Sequence, residues 1–306
     1  MALIVNGGTV ILGKSGLALG NTSSPTPGLT VNANGTVVIN SYSQQIASGN
    51  GGIPNPVKLY GGAYDLNGFD QTVDSLLMTN GATLRNSADY ATLTVGPVGG
   101  RTLTIGGTNC TFDVPGAELD IAAVVAGNGS LLKTGTGLLN LMNNTTYTGN
   151  TIISVGTLQI NYPSLATDST ISIATNAMLN LNFANGETNT VASLVIDGVT
   201  YPGGVYSAST DPTYIVGTGS LLVVPLAPPI NPLPGTIQVN VSGSTLALSW
   251  PTNLGWILQS QTNPPHVGLI NNSSAWFDVP GSELVTSTNM PINHANGSVF
   301  YQMIHP

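Results

Sequence analysis

Along most of the chain, short apolar runs alternate with polar positions at a period of two. Thr151-Ile-Ile-Ser-Val and Thr157-Leu-Gln-Ile show it plainly. That period puts successive side chains on opposite faces of a β-strand. Gly or Asn-Gly opens each run: Asn6-GGTVIL, Asn34-GTVVI, Asn80-GATL, Gly137-LLNL, Gly156-TLQI, Asn176-AMLNL and Gly217-TGSLLVV. The pattern predicts strands of roughly four to six residues between tight turns. Ala117-ELDIAAVVA also alternates at its front and reads as strand.

The same short unit returns from about residue 4 to residue 224 at uneven spacing. One unit cannot bury its apolar face alone, whereas stacked coils bury a continuous interior. Leucine and isoleucine then fill the inside, threonine coats the outside, and asparagine at the turns forms ladders between coils. Roughly ten coils at ~4.8 Å each make a rod about 50 Å long. Similar strand lengths also fit an antiparallel sandwich, for which Asn34-Gly35 and Asn67-Gly68 serve as hairpin signals. The repetition favours the solenoid.

The pattern breaks at 225–235, where PLAPPINPLPG has five prolines in eleven residues. Such a run is an extended, semi-rigid linker. Beyond it, Thr236-IQVNVSGSTLALSW, Gly255-WILQSQTN, Trp276-FDVPG and Ser298-VFYQMI read as strands of a small all-β domain over 236–306. All three tryptophans and all three histidines lie there.

Only 6% of the 306 residues are charged, against about 25% in an average protein. That shortage disfavours long solvent-facing helices. The five basic residues stand apart at 14, 58, 85, 101 and 133 in a chain of net charge −8. No basic patch exists for nucleic acid or an anionic membrane surface. No run is long and apolar enough to form a membrane-spanning segment. Met1-Ala-Leu-Ile-Val lacks the basic start and apolar core of a signal peptide. The lone Cys110 allows no intrachain disulfide and reads as a small buried hydrophobe.

Candidate chemistry is sparse, and no cofactor or metal is expected. Asp65, Asp70 and Asp74, with Asp89 near, form the best acidic cluster, and paired carboxylates can cleave glycosidic bonds. Asp65 and Asp70 sit in turn contexts, however, and no spacing links the acids to Arg85 or Arg101. No repeat-type calcium motif or EF-hand loop appears. His266, His294 and His305 lack metal-ligand spacing, and no Gly-x-Ser-x-Gly elbow exists. Trp250, Trp256, Trp276 and Tyr301, with Phe277 and Phe300, are candidates for a sugar-stacking platform. The same rings equally suit the core of a small sandwich. Asn144 and Asn272 begin Asn-x-Ser/Thr sites that this composition produces by chance.

The run GNGSLLKTGTGLLNLMNNTTYTGNTIISVGTLQI over 127–160 resembles the autotransporter-associated β-strand repeat. The matching positions include Gly127, Gly129, Leu131, Lys133, Gly135, Gly137, Leu139, Leu141, Tyr147, Gly149, Gly156, Thr157 and Leu158. The tail from Leu246 resembles a C-terminal module of verrucomicrobial-type proteins, loosely of fibronectin-III or immunoglobulin form. The resemblance implies an all-β chain: a right-handed parallel β-helix over 1–224, the linker, and a small β-sandwich over 236–306. It further implies a non-catalytic structural or adhesive rod, displayed on or secreted from a bacterial cell. Its partners would be polysaccharide, other surface proteins or further copies of itself. The repeat residues would be structural, Tyr147 packing on the next coil. No outer-membrane barrel follows in this chain, which begins within a repeat unit; the front of a longer surface protein is expected to be missing. The alternative is an extracellular carbohydrate-binding or polysaccharide-degrading protein.

Overall fold

The computed structural model describes residues 3–16, 18–19, 28–42, 44–46, 56–96, 102–224, 236–250, 256–293 and 295–304. The Pro-rich segment 225–235, Arg101, His294 and His305 lie outside the described residues. The chain divides into two compact units, Met1–Pro225 and Leu226–Pro306.

The first unit is a parallel β-helix with three walls. Each complete coil visits them in turn, as in Val124–Gly127, Leu131–Thr134 and Leu138–Leu141. Among the described residues the first wall has seven strands, from Leu3–Val5 to Thr146–Tyr147, and the third has seven, from Gln71–Val73 to Ile215–Gly217. The second is a ten-stranded sheet that begins at Gly8–Leu12. Its pairings are parallel except the last, where Val199–Thr200 folds back on Ser193–Ile196. Asn34, at φ 67°, turns the chain from one wall to the next. The two strands it joins pair with neighbouring coils, not with each other. The hairpin reading at this site is therefore corrected: the tight turn is a corner of the coil.

Alternation works as expected because each wall has one face inside. Ala91, Leu119, Leu139, Leu158, Leu179 and Ile215 form one interior column in register. All six are fully buried. The assignment of threonine to the outside holds at Thr92, Thr94, Thr102, Thr104 and Thr111 and needs correction at Thr151. Thr151 stands in the interior column between Leu131 and Ile171 and is fully buried. The outward positions beside it are Leu132 and Ile152, both half-buried.

Among the described residues the second unit has two three-stranded antiparallel sheets. Gln238–Ser242, Thr245–Ser249 and Ser287–Pro291 make one. Phe277–Asp278, Ile257–Asn263 and Ser298–Ile304 make the other. Leu248, Trp250 and Leu258 are its buried core, with Leu246, Met290, Tyr301 and Met303 packed against them.

Candidate functional site

The repeat residues form the most distinctive local structure of the first unit. Register places Lys133 in an interior column: Tyr64, Leu84, Phe112, Lys133, Ile153, Ile173, Ile196. The lysine is fully buried. Its Nζ donates to the carbonyls of Thr134 at 2.7 Å and Gly135 at 2.6 Å in its own corner. It also donates to Val155 at 3.2 Å, in the corner of the next coil. Three donors thus meet three acceptors, and the ammonium ties two coils together. Burial pulls its pKa down to about 8, and the Asp113 carboxylate pushes back upward.

The motif glycines lie where coil backbones meet. A Cβ on Gly149 would stand 2.2 Å from the carbonyl oxygen of Gly129, and one on Gly137 2.1 Å from that of Gly116. Gly135 and Gly156 turn corners at φ 75° and 72°. Leu131 and Leu158 are fully buried. Tyr147 is also buried, and its hydroxyl meets that of Thr151 at 2.7 Å, across the corner from the first wall to the second.

Tyr64 makes a useful contrast. It is as buried as Tyr147, but its hydroxyl has no hydrogen-bond partner among the described residues. We predict that Tyr64→Phe leaves stability unchanged or raises it by about 1 kcal/mol, while Tyr147→Phe lowers it by a similar amount. Urea midpoints test this; the reverse order contradicts it. Burial holds both hydroxyls neutral, pushing their pKa values far up. A raised folded pKa gives stability that is present below the unfolded value, near 10, and lost as pH rises beyond it.

The acids are dispersed among structural duties. Asp65 accepts from the backbone N–H groups of Asn67 at 2.9 Å and Ser87 at 3.0 Å, a turn role. Asp70 accepts from Thr92 N–H at 2.7 Å on the next coil, and Asp74 is buried. The absence of a link to arginine needs correction. Asp65, Arg85 and Asp113 stand in one column, with Arg85 Nε 3.7 Å and 3.4 Å from the two carboxylates. Asp89 lies in the loop before Tyr90–Val95. His266 is a turn residue at φ 72°. Cys110 is buried, with its thiol 3.3 Å from the Met78 carbonyl.

The sequence gives no sign of a polar ladder on the outer face of the third wall. Asp120, Asn140, Gln159 and Asn180 are in register on successive coils. Each carboxamide donates to the residue before it, at 2.8, 3.1 and 2.8 Å. The ladder expected at turns is present as well: Asn182 donates to Asn161 at 2.7 Å in the turn after this wall, and Asn32 donates to Asn6 at 2.6 Å. Asp120 also accepts from the Tyr90 hydroxyl. Beside it, burial first and then the Asp120 charge and hydrogen bond push the Glu118 carboxyl up. Alternation alone does not single out this carboxylate pair. Among the described residues, no three His, Cys, Asp or Glu side chains gather as a metal site.

The second-unit aromatics differ in burial. Trp250, 7% exposed, belongs to the core, and Tyr301 packs against it. Tyr301 is half-buried and also lines a cavity with Leu246 and Val299. Trp256 and Trp276 are half-buried, and Phe277 is 69% exposed.

No helix of the described residues is long and apolar enough to cross a membrane. No family model matches the chain, and no solved structure does. The repeat reading therefore rests on its residues and their geometry. Over 163 residues, 51% of this chain, the sequence is 32% identical to the Adhesin BmaC autotransporter of Brucella suis biovar 1 (strain 1330). The match spans 4% of that protein's length, so the similarity is to one stretch of a far longer adhesin.

Proposed function

We propose that this chain is a non-catalytic adhesive or structural rod belonging to a bacterial cell-surface or secreted protein. The observation that carries the reading is the similarity of half the chain to an autotransporter adhesin. The chemistry of the coils supports it. Lys133, Asp65, Arg85 and Asp120 are engaged in bonds between coils. Self-association is the finer part of the proposal. It is supported by the outward Ile4 and Ile11, 59% and 63% exposed. Concentration-independent monomers in light scattering sink that part.

Display of the chain on a non-adherent bacterial strain tests the main reading. Retention on cell or polysaccharide surfaces should exceed that of a strain displaying an unrelated β-helix. Equal retention on every surface contradicts it.

The alternative is a carbohydrate-binding or polysaccharide-degrading extracellular protein. Its degrading form draws on the Glu118–Asp120 pair, where burial and then the Asp120 charge and hydrogen bond push the Glu118 carboxyl up, toward a general acid's role.

A further inference from the structure

Most corners between the second and third walls are short: residues 135–137, 154–155 and 174–176. The last is long. Residues 197–214 separate Ser193–Ile196 from Ile215–Gly217. Insertions at one corner of a solenoid are where such folds carry binding loops.

This excursion is held by its own bonds. Asp197 and Gly198, at φ 50° and 77°, make a tight reversal into Val199–Thr200. Gly204–Ser207 then pairs antiparallel with Ser220–Val223. Three tyrosines of the excursion, Tyr201, Tyr206 and Tyr214, are half-buried and rest on the coil interior. The Tyr214 hydroxyl donates to Asp197, which also accepts from Thr175 at 2.7 Å. The Tyr206 hydroxyl donates to the Pro202 carbonyl at 2.8 Å. Rings 201 and 206 meet edge to face at 5.6 Å. The rings are thus fixed before any ligand arrives, which lowers the ordering cost of binding.

Beside them opens a cavity of about 440 Å³, lined by Ile196, Asp197, Val199, Thr200, Tyr201, Pro202 and Tyr214. Its contents are selective. The fixed charge is a carboxylate, and residues 197–214 include no lysine, arginine or histidine. An anionic ligand finds no counter-charge there. The preferred ligand supplies hydrogen-bond donors to the carboxylate and an apolar face to the tyrosine rings. A neutral pyranose does both, through its hydroxyls and its C–H face.

We propose that Tyr201, Tyr214 and Asp197 form a binding site for a neutral saccharide. The proposal names a ligand class for the adhesive reading and rests on it. Calorimetry with neutral oligosaccharides (gluco-, xylo-, manno- and N-acetylglucosamine series), oligogalacturonate and choline chloride tests it. At least one neutral series should bind with a Kd near ~1 mM or tighter. Val199 is 61% exposed, so Val199→Arg blocks the cavity without disturbing the core. That variant should lose at least tenfold in affinity at unchanged melting temperature, and Tyr201→Ala should lose affinity as well. The idea is overturned if no neutral series binds, if choline or oligogalacturonate alone binds, or if Val199→Arg binds as well as wild type. Surface retention by the displayed chain, with no saccharide bound in calorimetry, overturns this site and leaves the adhesive reading intact.

Discussion

Lys133→Ala should destabilise the β-helix by about 4 kcal/mol, a cost that two effects share. Removal of a fully buried side chain from the column between Phe112 and Ile153 leaves a cavity. The Gly135 and Val155 carbonyls also lose the donor they share. The Thr134 carbonyl keeps the N–H of Val114 at 2.9 Å. Lys133→Met separates the two effects, because it fills the space and makes no bond; it should cost about 2 kcal/mol. Urea midpoints at constant slope give the values, and amide exchange at residues 131–156 shows whether the loss is local. A methionine variant at wild-type stability or above shows that the ammonium contributes nothing net to joining the coils.

The same lysine gives a pH signature. Its folded pKa is about 8, against roughly 10.4 unfolded. Between those values the unfolded chain holds the proton that the folded chain has shed, so stability rises with pH. The added stability is complete above the unfolded value and is lost as pH falls through about 8. Wild type should therefore gain on Lys133→Met across this window by up to about 3 kcal/mol. Tyrosine ionisation at the upper end is common to both proteins and cancels in the difference. A flat difference from pH 7 to pH 10 contradicts the burial of a charged amine.

Gly149→Ala should be among the most damaging single-methyl changes in the first unit. The added carbon would sit 2.2 Å from the Gly129 oxygen, which is backbone and cannot swing aside. The coils must part at that corner, at a cost of about 3 kcal/mol. Gly16→Ala is the control, because nothing lies within 4 Å of its Cβ position; it should be neutral. Equal melting temperatures for the two variants would show that this corner is looser than the geometry describes.

Strand positions were largely legible because they depend on local rules. Gly156-TLQI and Asn176-AMLNL each carry a turn, a β-branched or small residue, and alternating aliphatics, and each became a third-wall strand. Relations between coils were not legible. Asp65, Arg85 and Asp113 align only because the loops between them have particular lengths, and alternation says nothing of loop length. Thr151 and Lys133 look outward by residue type, yet register turns them inward, where Tyr147 and three carbonyls satisfy them. Ser287–Pro291 carried no strand signal, since its sequence, STNMP, offers one large apolar side chain and a terminal proline. The tyrosine cavity was hidden for another reason. Its residues are brought together by an antiparallel excursion that breaks the repeat.

The central claim is that this molecule binds and does not turn over its ligand. The most direct measurement incubates the purified chain with insoluble plant, algal and bacterial polysaccharides. Retention on each is recorded together with release of reducing or unsaturated ends. The account predicts retention on at least one of them with no release from any. Release that disappears in Glu118→Gln would contradict it and make the third wall a catalytic face.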